Sequence, residues 1–584
     1  MVGRSIRYGS LLWLSLQALP TYAQPNLPSP PTGESERQLI REQQRHEARE
    51  ASPQVDVRLD SDSLTEPLAR IPEETPCFVI DSIQLVGPQS QRFQWLLDRF
   101  SPVEVNGTSS RDQPIRDQAV EPVLGRCLGT QGINYVMSVL QNQLVKHGYI
   151  TSRIVVGAQD VTTGTLVLTL IPGVIGKIHF SDQQSRNAVL PMKSGDLLNL
   201  RDIEQALESM KRLPSVEADI QIIPARGEEA LSGESDLRIE WTQDSPVRVV
   251  LTADNSGTEN TGIYQGGISL AYDNMLGLHD ILNLSYSHDI GGAEPLKGGT
   301  ESYSLDYSFP MGYWSMALNV NANQYVQTVQ GPFQQYQYRG DSRTASWELS
   351  RLIYRDSTRK ITTGLGTWFR HSKNFIDDTE LVPQRRRTAG IDLRLDYRQF
   401  IGKAILDGGV NYRKGTGMFD AQPALEEAFG EGTSRPTIIK TNLQLSLPFQ
   451  LGQQRLHYTG SWRRQYNRDP LTPQDRFSIG GRYTVRGFDG ESTLSADRGW
   501  LIRNDLALFL GSGKQSVYIG ADYGQVNGFP EQFLLGDHLA GAVLGVKGQF
   551  WGNHYDLSVG TPINKPDGFI TGHGAVYLQI NRAF

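Results

Sequence analysis

The chain has 584 residues, and its 56 Lys and Arg against 63 Asp and Glu give a formal net charge of −7. This mild acidity argues against a nucleic-acid-binding protein, which normally carries a basic excess. No run of about 18 apolar residues occurs, which excludes membrane-spanning helices. The 59 Gly, 23 Tyr, 20 Phe and 9 Trp also fit a transmembrane β-barrel. The strands of such a barrel alternate lipid-facing and lumen-facing residues and are therefore polar on average.

The first 23 residues have the three parts of a secretory signal peptide. Arg4 and Arg7 supply positive charge, residues 11–19 an apolar stretch, and residues 21–23 a small-residue cleavage site. A buried N-terminal helix is the alternative interpretation. We therefore expect residues 1–23 to direct export.

Export bears on the two cysteines of the chain, Cys77 and Cys127. An even number of cysteines in an oxidising compartment favours a structural disulfide. A metal or redox pair would need further ligands or CxxC spacing, and the sequence has neither. The two residues are therefore predicted to be bonded to each other.

Residues 24–51 combine a Pro-rich start with a charged segment at 33–50, GESERQLIREQQRHEARE, that contains no proline. This segment predicts a helix, and Ser35 and Gln38 have the spacing of a capping box. Its apolar content is too low for a hydrophobic core, so a solvated helix, disorder or a place in a water-filled cavity would each fit. Residues 52–76 follow as a flexible acidic linker. Four arginines recur every four residues and would share one helical face: Arg37, Arg41, Arg45 and Arg49.

Between residues 77 and 245, short strands alternate with amphipathic helices. In the first cycle, INYVMSVLQNQLVKHG places Val136, Leu140 and Leu144 on one helical face and ends at Gly148, a typical helix stop. A second cycle has its helix at 200–213. The repeated order predicts two small α+β domains, with boundaries at 77–173 and 174–245.

From residue 246 to residue 584 helical patterns almost disappear and alternation takes over. Many segments have about 8 to 12 residues, the length that a tilted membrane strand requires. About sixteen such strands would close an antiparallel barrel without a free edge, and it would be wide enough for an aqueous channel. The last segment ends on an aromatic residue, Phe584, which resembles the terminal signal of bacterial outer-membrane barrels. The predicted strands are 247–256, 262–274, 281–288, 302–309, 314–325, 344–354, 361–370, 390–398, 404–413, 437–449, 455–466, 499–510, 516–524, 538–549, 552–559 and 573–584.

Two runs of the chain, CFVIDSIQLVG and GRCLGTQGINYVMSVLQNQLVKHGYITSRIVVG, resemble the first periplasmic domain of two-partner secretion transporters. The segment LTADNSGTENTGIYQGG is similar to the start of that family's barrel. These outer-membrane proteins export haemolysins, filamentous adhesins or contact-dependent inhibition toxins. The resemblance implies a signal peptide, a plug helix at 24–51, a linker, two periplasmic POTRA domains and a sixteen-stranded barrel at 246–584. It also implies contact with outer-membrane lipids and insertion by the barrel-assembly machinery.

The most specific motif of this resemblance is VRGF, formed by Val485, Arg486, Gly487 and Phe488. In the family it lies on a long loop between the eleventh and twelfth strands, which folds back into the barrel. Residues 467–498 correspond to that loop here. The resemblance implies that Arg486 pairs with an acid on the inner wall, which is Asp522 in this chain, with Asp505 as a second candidate.

The parity of the predicted strand agrees with this pairing. Asp522 shares its strand face with Tyr518 and Gly520, and a charge on the lipid-facing side would cost several kcal/mol. An Arg–carboxylate pair can be bidentate, which would fix the direction of the loop. A solvated Arg486 beside an ordinary lumen aspartate is the alternative.

No pattern in the sequence predicts a catalytic residue, a metal site or a cofactor, since HxxxH, HExxH, GxSxG and P-loop motifs are lacking. The resemblance implies that POTRA domains bind a large unfolded exoprotein by adding a strand to a sheet edge, near residues 154–156 or 220–223. The plug helix would then leave a polar lumen lined by groups such as Arg394, Asp396 and Arg398. A barrel-assembly insertase of the same superfamily is the main alternative, and a porin or an outer-membrane enzyme are others.

Overall fold

The protein is described by a computed structural model that covers residues 56–59, 71–100, 122–181, 189–226, 232–291, 298–330, 334–511 and 513–584. The predicted signal peptide, the predicted plug helix with Arg37, Arg41, Arg45 and Arg49, and most of the predicted linker lie outside these residues. In the described part, no helix is long and apolar enough to cross a membrane.

The first small unit is an α+β sandwich with one long helix. Alternate residues of its central strand, Leu166, Leu168 and Leu170, are fully buried. They pack with Leu140 and Leu144 of the helix, which lie four residues apart and so share one face. Its elements are β1 (Phe78–Ile80), β2 (Ser82–Val86), β3 (Arg126–Leu128), α1 (Thr130–Lys146), β4 (Arg153–Val156) and β5 (Thr165–Ile171), with sheets β1-β3 and β2-β5-β4.

Two contacts hold the start of this unit. Cys77 and Cys127 form a disulfide beside the β1–β3 pair. The carboxylate of Glu74 accepts hydrogen bonds from the backbone N–H groups of Gln131 (2.9 Å) and Gly132 (2.6 Å) at the start of α1. These bonds hold the pKa of Glu74 below its usual value. A carboxylate at a helix N-terminus is favourable, so Glu74 fixes the chain at the point where it enters the unit.

The second small unit repeats the pattern around an amphipathic helix. Ile203, Leu207 and Met210 are buried on one face of this helix and pack on the sheet. The side chain of Asn199 accepts a hydrogen bond from the N–H of Arg201 at 2.9 Å, which caps the helix. The elements are β6 (Val174–Phe180), α2 (Leu200–Lys211), β7 (Val216–Pro224) and β8 (Glu234–Gln243), in the sheet order β6-β8-β7.

Sixteen long antiparallel strands form a closed barrel, and each predicted strand coincides with one of them. Three of them are longer than the sequence predicts: β13 (Trp314–Gln330), β14 (Gln335–Arg355) and β15 (Arg359–Ile376) have 17, 21 and 18 residues. Their outer parts, such as QYQYRGDSR in β14, are polar on both faces, so pairing continues where alternation has ended. The barrel strands are β9 (Val247–Asp254), β10 (Tyr264–Asp273), β11 (Ile281–Gly291), β12 (Gly299–Met311), β13 (Trp314–Gln330), β14 (Gln335–Arg355), β15 (Arg359–Ile376) with its extension β16 (Thr379–Glu380), β17 (Arg386–Ile401), β18 (Ala404–Thr416), β19 (Thr437–Leu451), β20 (Gln454–Asn467), β23 (Arg498–Leu510), β24 (Gln515–Asn527), β25 (His538–Phe550), β26 (Asn553–Asn564) and β27 (Ala575–Ala583).

The second small unit packs against the short turns at one end of the barrel, here called the near end. Arg212, just after α2, donates hydrogen bonds to the carbonyl oxygen of His279 (3.1 Å) and to Oγ of Ser308 (2.6 Å). The fully buried carboxylate of Asp273 accepts a bond from the N–H of Ser215 at 3.2 Å. Burial, together with the neighbouring Arg212, lowers the pKa of His279 to about 4. His279 is therefore neutral at pH 7, so Arg212 does not lie beside a second positive charge at this junction.

A group of charged side chains, the rim cluster, joins three parts of the chain at the near end. Arg355 of β14 contacts Glu208 of α2 at 2.7 Å and Glu204 at 3.2 Å, and it donates to the carbonyl oxygen of Val57 at 3.0 Å. Residues 56–59, which the sequence assigns to a flexible linker, are thus held between α2 and the barrel. The members of the rim cluster are Asp56, Glu204, Glu208, Arg355, Lys360 and Arg398.

Candidate functional site

A long segment between β20 and β23 lies inside the barrel and is here called the inner loop, residues 468–497. These strands are the eleventh and twelfth of the barrel, so the loop occupies the position that the sequence predicts. It contains a small hairpin of β21 (Phe477–Ile479) and β22 (Leu494–Ala496). The VRGF motif lies at the turn of this hairpin, where it reaches the wall.

Arg486 is bound to Asp522 of β24 through both side chain and backbone. Its Nε and Nη2 donate to the two carboxylate oxygens at 2.7 and 2.8 Å, and its backbone N–H donates at 2.9 Å. Asp505 of β23 lies 2.7 Å from Nη2, and Arg503 lies 3.8 Å from Asp522. The side chain of Asp522 is 1% exposed, so the pair is a desolvated, bidentate contact. Both acids that the sequence suggests therefore face the arginine.

The other three residues of the motif are buried against the same wall. Val485 and Phe488 have no exposed surface, and Phe488 meets Phe569 edge to face at 5.8 Å. The N–H of Gly487 donates to the hydroxyl of Tyr577 at 2.9 Å, and that hydroxyl donates to the carbonyl oxygen of Phe488 at 2.8 Å. Tyr577 on β27, the last strand, thus satisfies two backbone groups of the loop.

The wall beneath the motif is made of glycine, which the sequence analysis did not identify. A Cβ atom at Gly541 would overlap the carbonyl oxygen of Arg486, and one at Gly560 would lie 2.9 Å from the Cα of Gly487. Gly487 itself has φ of 103°, a conformation that glycine adopts readily. Glycine inside a strand often marks a close backbone approach. Glycines at inward-facing positions of neighbouring strands are the signal that would have located the contact.

The inner loop is also held by residues outside the VRGF motif. Asp475, near its start, forms an ion pair with Arg370 of β15 at 2.7 Å, and both side chains are buried. Arg482 donates to the carbonyl oxygen of Leu578 on β27 at 3.0 Å. Since β15 and β27 are widely separated in the strand order, the loop extends across the lumen and obstructs it.

The remaining lumen wall is polar and divides into two parts. Strands β10 to β13 present mainly small neutral groups, such as Ser285 and Ser302, to the interior. Strands β17 to β24 present paired charges. Arg394 contacts Asp396 at 2.7 Å, and Arg398, which the sequence places in the lumen, bridges Asp407 (2.5 Å) and Asp56 (2.9 Å) near the rim.

The C-terminal residue takes part in closing the barrel. The backbone of Phe584 exchanges two hydrogen bonds with Val249 of β9, at 2.9 and 3.3 Å. Its ring is exposed and lies under the guanidinium of Arg582 at 4.9 Å. Only five residue pairs join β27 to β9, from Gln579 to Ala583. Asn255 adds a side-chain bond to the carbonyl oxygen of Val576 at 2.7 Å.

Three protein families match successive parts of the chain. The family described as haemolysin secretion/activation protein ShlB/FhaC/HecB matches residues 233–548, the ShlB-type POTRA domain matches residues 99–173, and a further POTRA domain matches residues 174–224. The first of these matches covers more than half of the chain. The barrel and the inner loop both lie largely within it.

Several characterised proteins are similar over most of their length. Outer membrane transporter CdiB-2 of Burkholderia pseudomallei is 34% identical over 521 residues, which is 88% of each chain. Hemolysin transporter protein ShlB of Serratia marcescens is 24% identical over 79% of this chain and 78% of the relative. The solved structure of CdiB from Acinetobacter baumannii superposes with a TM-score of 0.79 at 29% identity, covering 94% of this chain and 98% of the other. The chain therefore belongs to the haemolysin secretion/activation protein ShlB/FhaC/HecB family and is an outer-membrane transporter of two-partner secretion, with its POTRA domains in the periplasm.

Proposed function

We propose that this transporter exports a large exoprotein of the contact-dependent inhibition type through its barrel. The observation that carries the proposal is the inner loop, which obstructs a polar lumen through ion pairs and hydrogen bonds. Polar contacts to a water-filled lumen can be exchanged for water one at a time, so such a loop can be displaced without opening the barrel. The relatives named CdiB outer membrane transporters support the choice of passenger class. In this proposal the protein conducts its partner and performs no catalysis.

The exoprotein would first bind the edge of the first POTRA sheet. Strand β4 is an edge strand in the order β2-β5-β4, and Val155 and Val156 are exposed. On the other candidate edge, β7, Ile222 and Ile223 are only partly exposed, so this edge offers less apolar surface to an added strand. An edge strand with exposed apolar side chains suits β-strand addition.

The hydrogen-bond pattern of β4 shows which amide an added strand would use. The N–H of Ile154 donates to the side chain of Gln141 at 3.2 Å, so it points away from β5. Because the pointing direction alternates along an antiparallel strand, the N–H of Val156 also points to the free edge. Val156 therefore supplies a donor that β5 does not use.

Replacing Val156 with proline tests this binding mode. The ligand is the N-terminal secretion domain of the exoprotein encoded by the neighbouring gene. We expect the full-length Val156→Pro variant to bind this domain about tenfold more weakly. One backbone hydrogen bond is worth about 0.5–1.5 kcal/mol, and the proline ring also obstructs the edge. Calorimetry and the amount of exoprotein in the medium would measure the effect. Val156→Ala keeps the N–H and is the matched control. Equal binding by both variants, or the lack of a large exoprotein gene beside this one, would contradict the proposal.

The predicted plug helix is a separate part of the proposal. Residues 33–50 have too little apolar surface for a hydrophobic core, and Asp56, six residues beyond them, is held at the lumen rim by Lys360 and Arg398. From that position the preceding segment can reach the lumen. We expect deletion of 33–50 to increase the conductance of single channels in planar bilayers, whereas deletion of 25–32 should leave it unchanged. An unchanged conductance after the first deletion would argue against a plug.

A further inference from the structure

Three basic side chains form a row across neighbouring strands at the end of the barrel opposite the near end, here called the far end. This row is called the cationic row. Arg343 of β14 lies directly opposite His371 of β15, and His371 lies directly opposite Arg387 of β17. The two arginines of this cationic row bring two permanent positive charges to the same face of the wall, on either side of His371. Such a concentration of positive charge favours a counter-anion.

The cationic row faces the membrane side of the wall. Arg370 and Thr388, the chain neighbours of His371 and Arg387, are buried on the lumen side, and side chains alternate along a strand. The next row on the same outer face consists of apolar residues in the same register: Ala345, Phe369 and Ala389. The row thus lies at the upper boundary of the apolar band.

Further positive charge surrounds this position. Lys373 and Arg385 both act electrostatically on His371, as Arg343 and Arg387 do. Arg385 is paired with Glu380 at 2.6 Å, and Arg387 lies 3.5 Å from Asp420. Arg343 is exposed, and within the described part of the chain it has no hydrogen bond or ion pair. The cations of this patch therefore exceed their local protein counter-charges.

Two aromatic side chains, Phe369 and Phe419, lie beside the cationic row. The guanidinium of Arg387 lies 5.8 Å from the centre of the Phe369 ring, and Phe369 meets Phe419 edge to face at 6.3 Å. Phe419 is exposed, on the loop that follows β18. Aromatic residues at this height are typical of the interfacial girdle of outer-membrane barrels, which places the row at the level of lipid head groups.

We propose that the cationic row binds the phosphate groups of a phosphorylated glycolipid in the outer leaflet. The POTRA domains lie in the periplasm and contact the near end, so the far end, which carries the row, is on the cell surface. Arginine forks match phosphate oxygens bidentately. In the apolar row below, Ala345 and Phe369 are partly exposed and can contact acyl chains, which a free phosphate ion would not use. The ligand is therefore a lipid with an anionic head group.

Titration of the purified full-length protein with diphosphoryl lipid A in detergent tests the proposal. We expect the lipid to raise the melting temperature of the natural protein, since a ligand that binds only the folded state stabilises it. The double variant Arg343→Gln, Arg387→Gln should need at least about tenfold more lipid for half of the effect, because it loses two charge-assisted contacts. Arg351→Gln is the matched control. Arg351 lies on the same face of β14 but at the near end, over the Trp314 ring at 5.0 Å, and its replacement should leave the titration unchanged.

Three results would overturn the proposal. The first is an unaltered titration in the double variant. The second is an equal effect of lipid A from which the phosphates have been removed. The third is an equal effect of inorganic phosphate at the same concentration, which would indicate a site for free anions. If the double variant does not give the compact band of a folded barrel in unheated gels, Arg343→Gln alone decides, since this exposed side chain should still weaken binding about threefold or more.

Discussion

Secretion should be abolished or sharply lowered by Arg486→Ala, while the barrel remains folded and inserted. The substitution leaves the carboxylate of Asp522 buried without its main partner, and breaking a buried ion pair in this way costs about 3–5 kcal/mol. Arg503, 3.8 Å away, can compensate only in part. The substitution destabilises the position of the inner loop and not the fold of the barrel, because the barrel strands keep their own hydrogen bonds. Export of the exoprotein, measured in the medium, should fall with the loop contact.

Two further variants make this experiment specific. Arg486→Lys retains the charge but not the fork that contacts both oxygens of Asp522, so it should restore secretion only in part. Arg468→Ala removes an exposed arginine from the same loop and should secrete normally. Normal secretion by a folded, inserted Arg486→Ala protein would show that the contact has no role in transport.

Arg355→Ala should loosen the POTRA domains from the barrel. Arg355 is 3% exposed, and its guanidinium connects Glu204 and Glu208 of α2 with the carbonyl oxygen of Val57. Without it, two carboxylates keep a buried position with fewer partners, which costs several kcal/mol. We expect a broader distribution of distances between spin labels on the first POTRA domain and on the barrel. Secretion should decline as a consequence.

Arg359→Ala is the matched control for this variant. Arg359 lies in the same turn region, pairs with Asp356 at 2.6 Å and is 48% exposed, so an exposed pair worth at most about 1 kcal/mol is lost. It should leave the distance distribution as it is. A distribution that is equally narrow in Arg355→Ala would mean that the rim cluster does not hold the junction.

Much of this architecture can be predicted from the sequence because each strand is defined by the pattern of polar and apolar residues within it. Alternation over residues 247–584 indicates which strands have one polar and one apolar face, and parity directs Asp522 inward. The ends of β13 to β15 are not predictable in this way, because both faces are polar there. The partners of the rim cluster and the Asp475–Arg370 pair were missed for another reason. They join residues more than 100 positions apart, and only the register of the strands and the path of the inner loop bring them together.

The same limitation applies to Tyr577 and to the glycine wall. Tyr577 lies on the inward face of its strand, but its role depends on the position of Gly487, 90 residues earlier. Gly541 is one of 59 glycines, and it stands out only when the loop is known to lie on it. Contacts between a loop and a wall depend on tertiary placement, which periodicity does not encode.

The contacts of the inner loop impose an order on assembly. The VRGF motif precedes its supports along the chain: Asp522, Gly541, Gly560 and Tyr577 all follow Arg486. Its hydrogen bonds to Tyr577 can form only after β27 is in place, and β27 is the strand that pairs with β9 to complete the circle. Complete seating of the VRGF motif therefore requires the last strand of the barrel. A barrel with a missing or misplaced last strand lacks these two hydrogen bonds, so the motif is fully held only in correctly completed molecules.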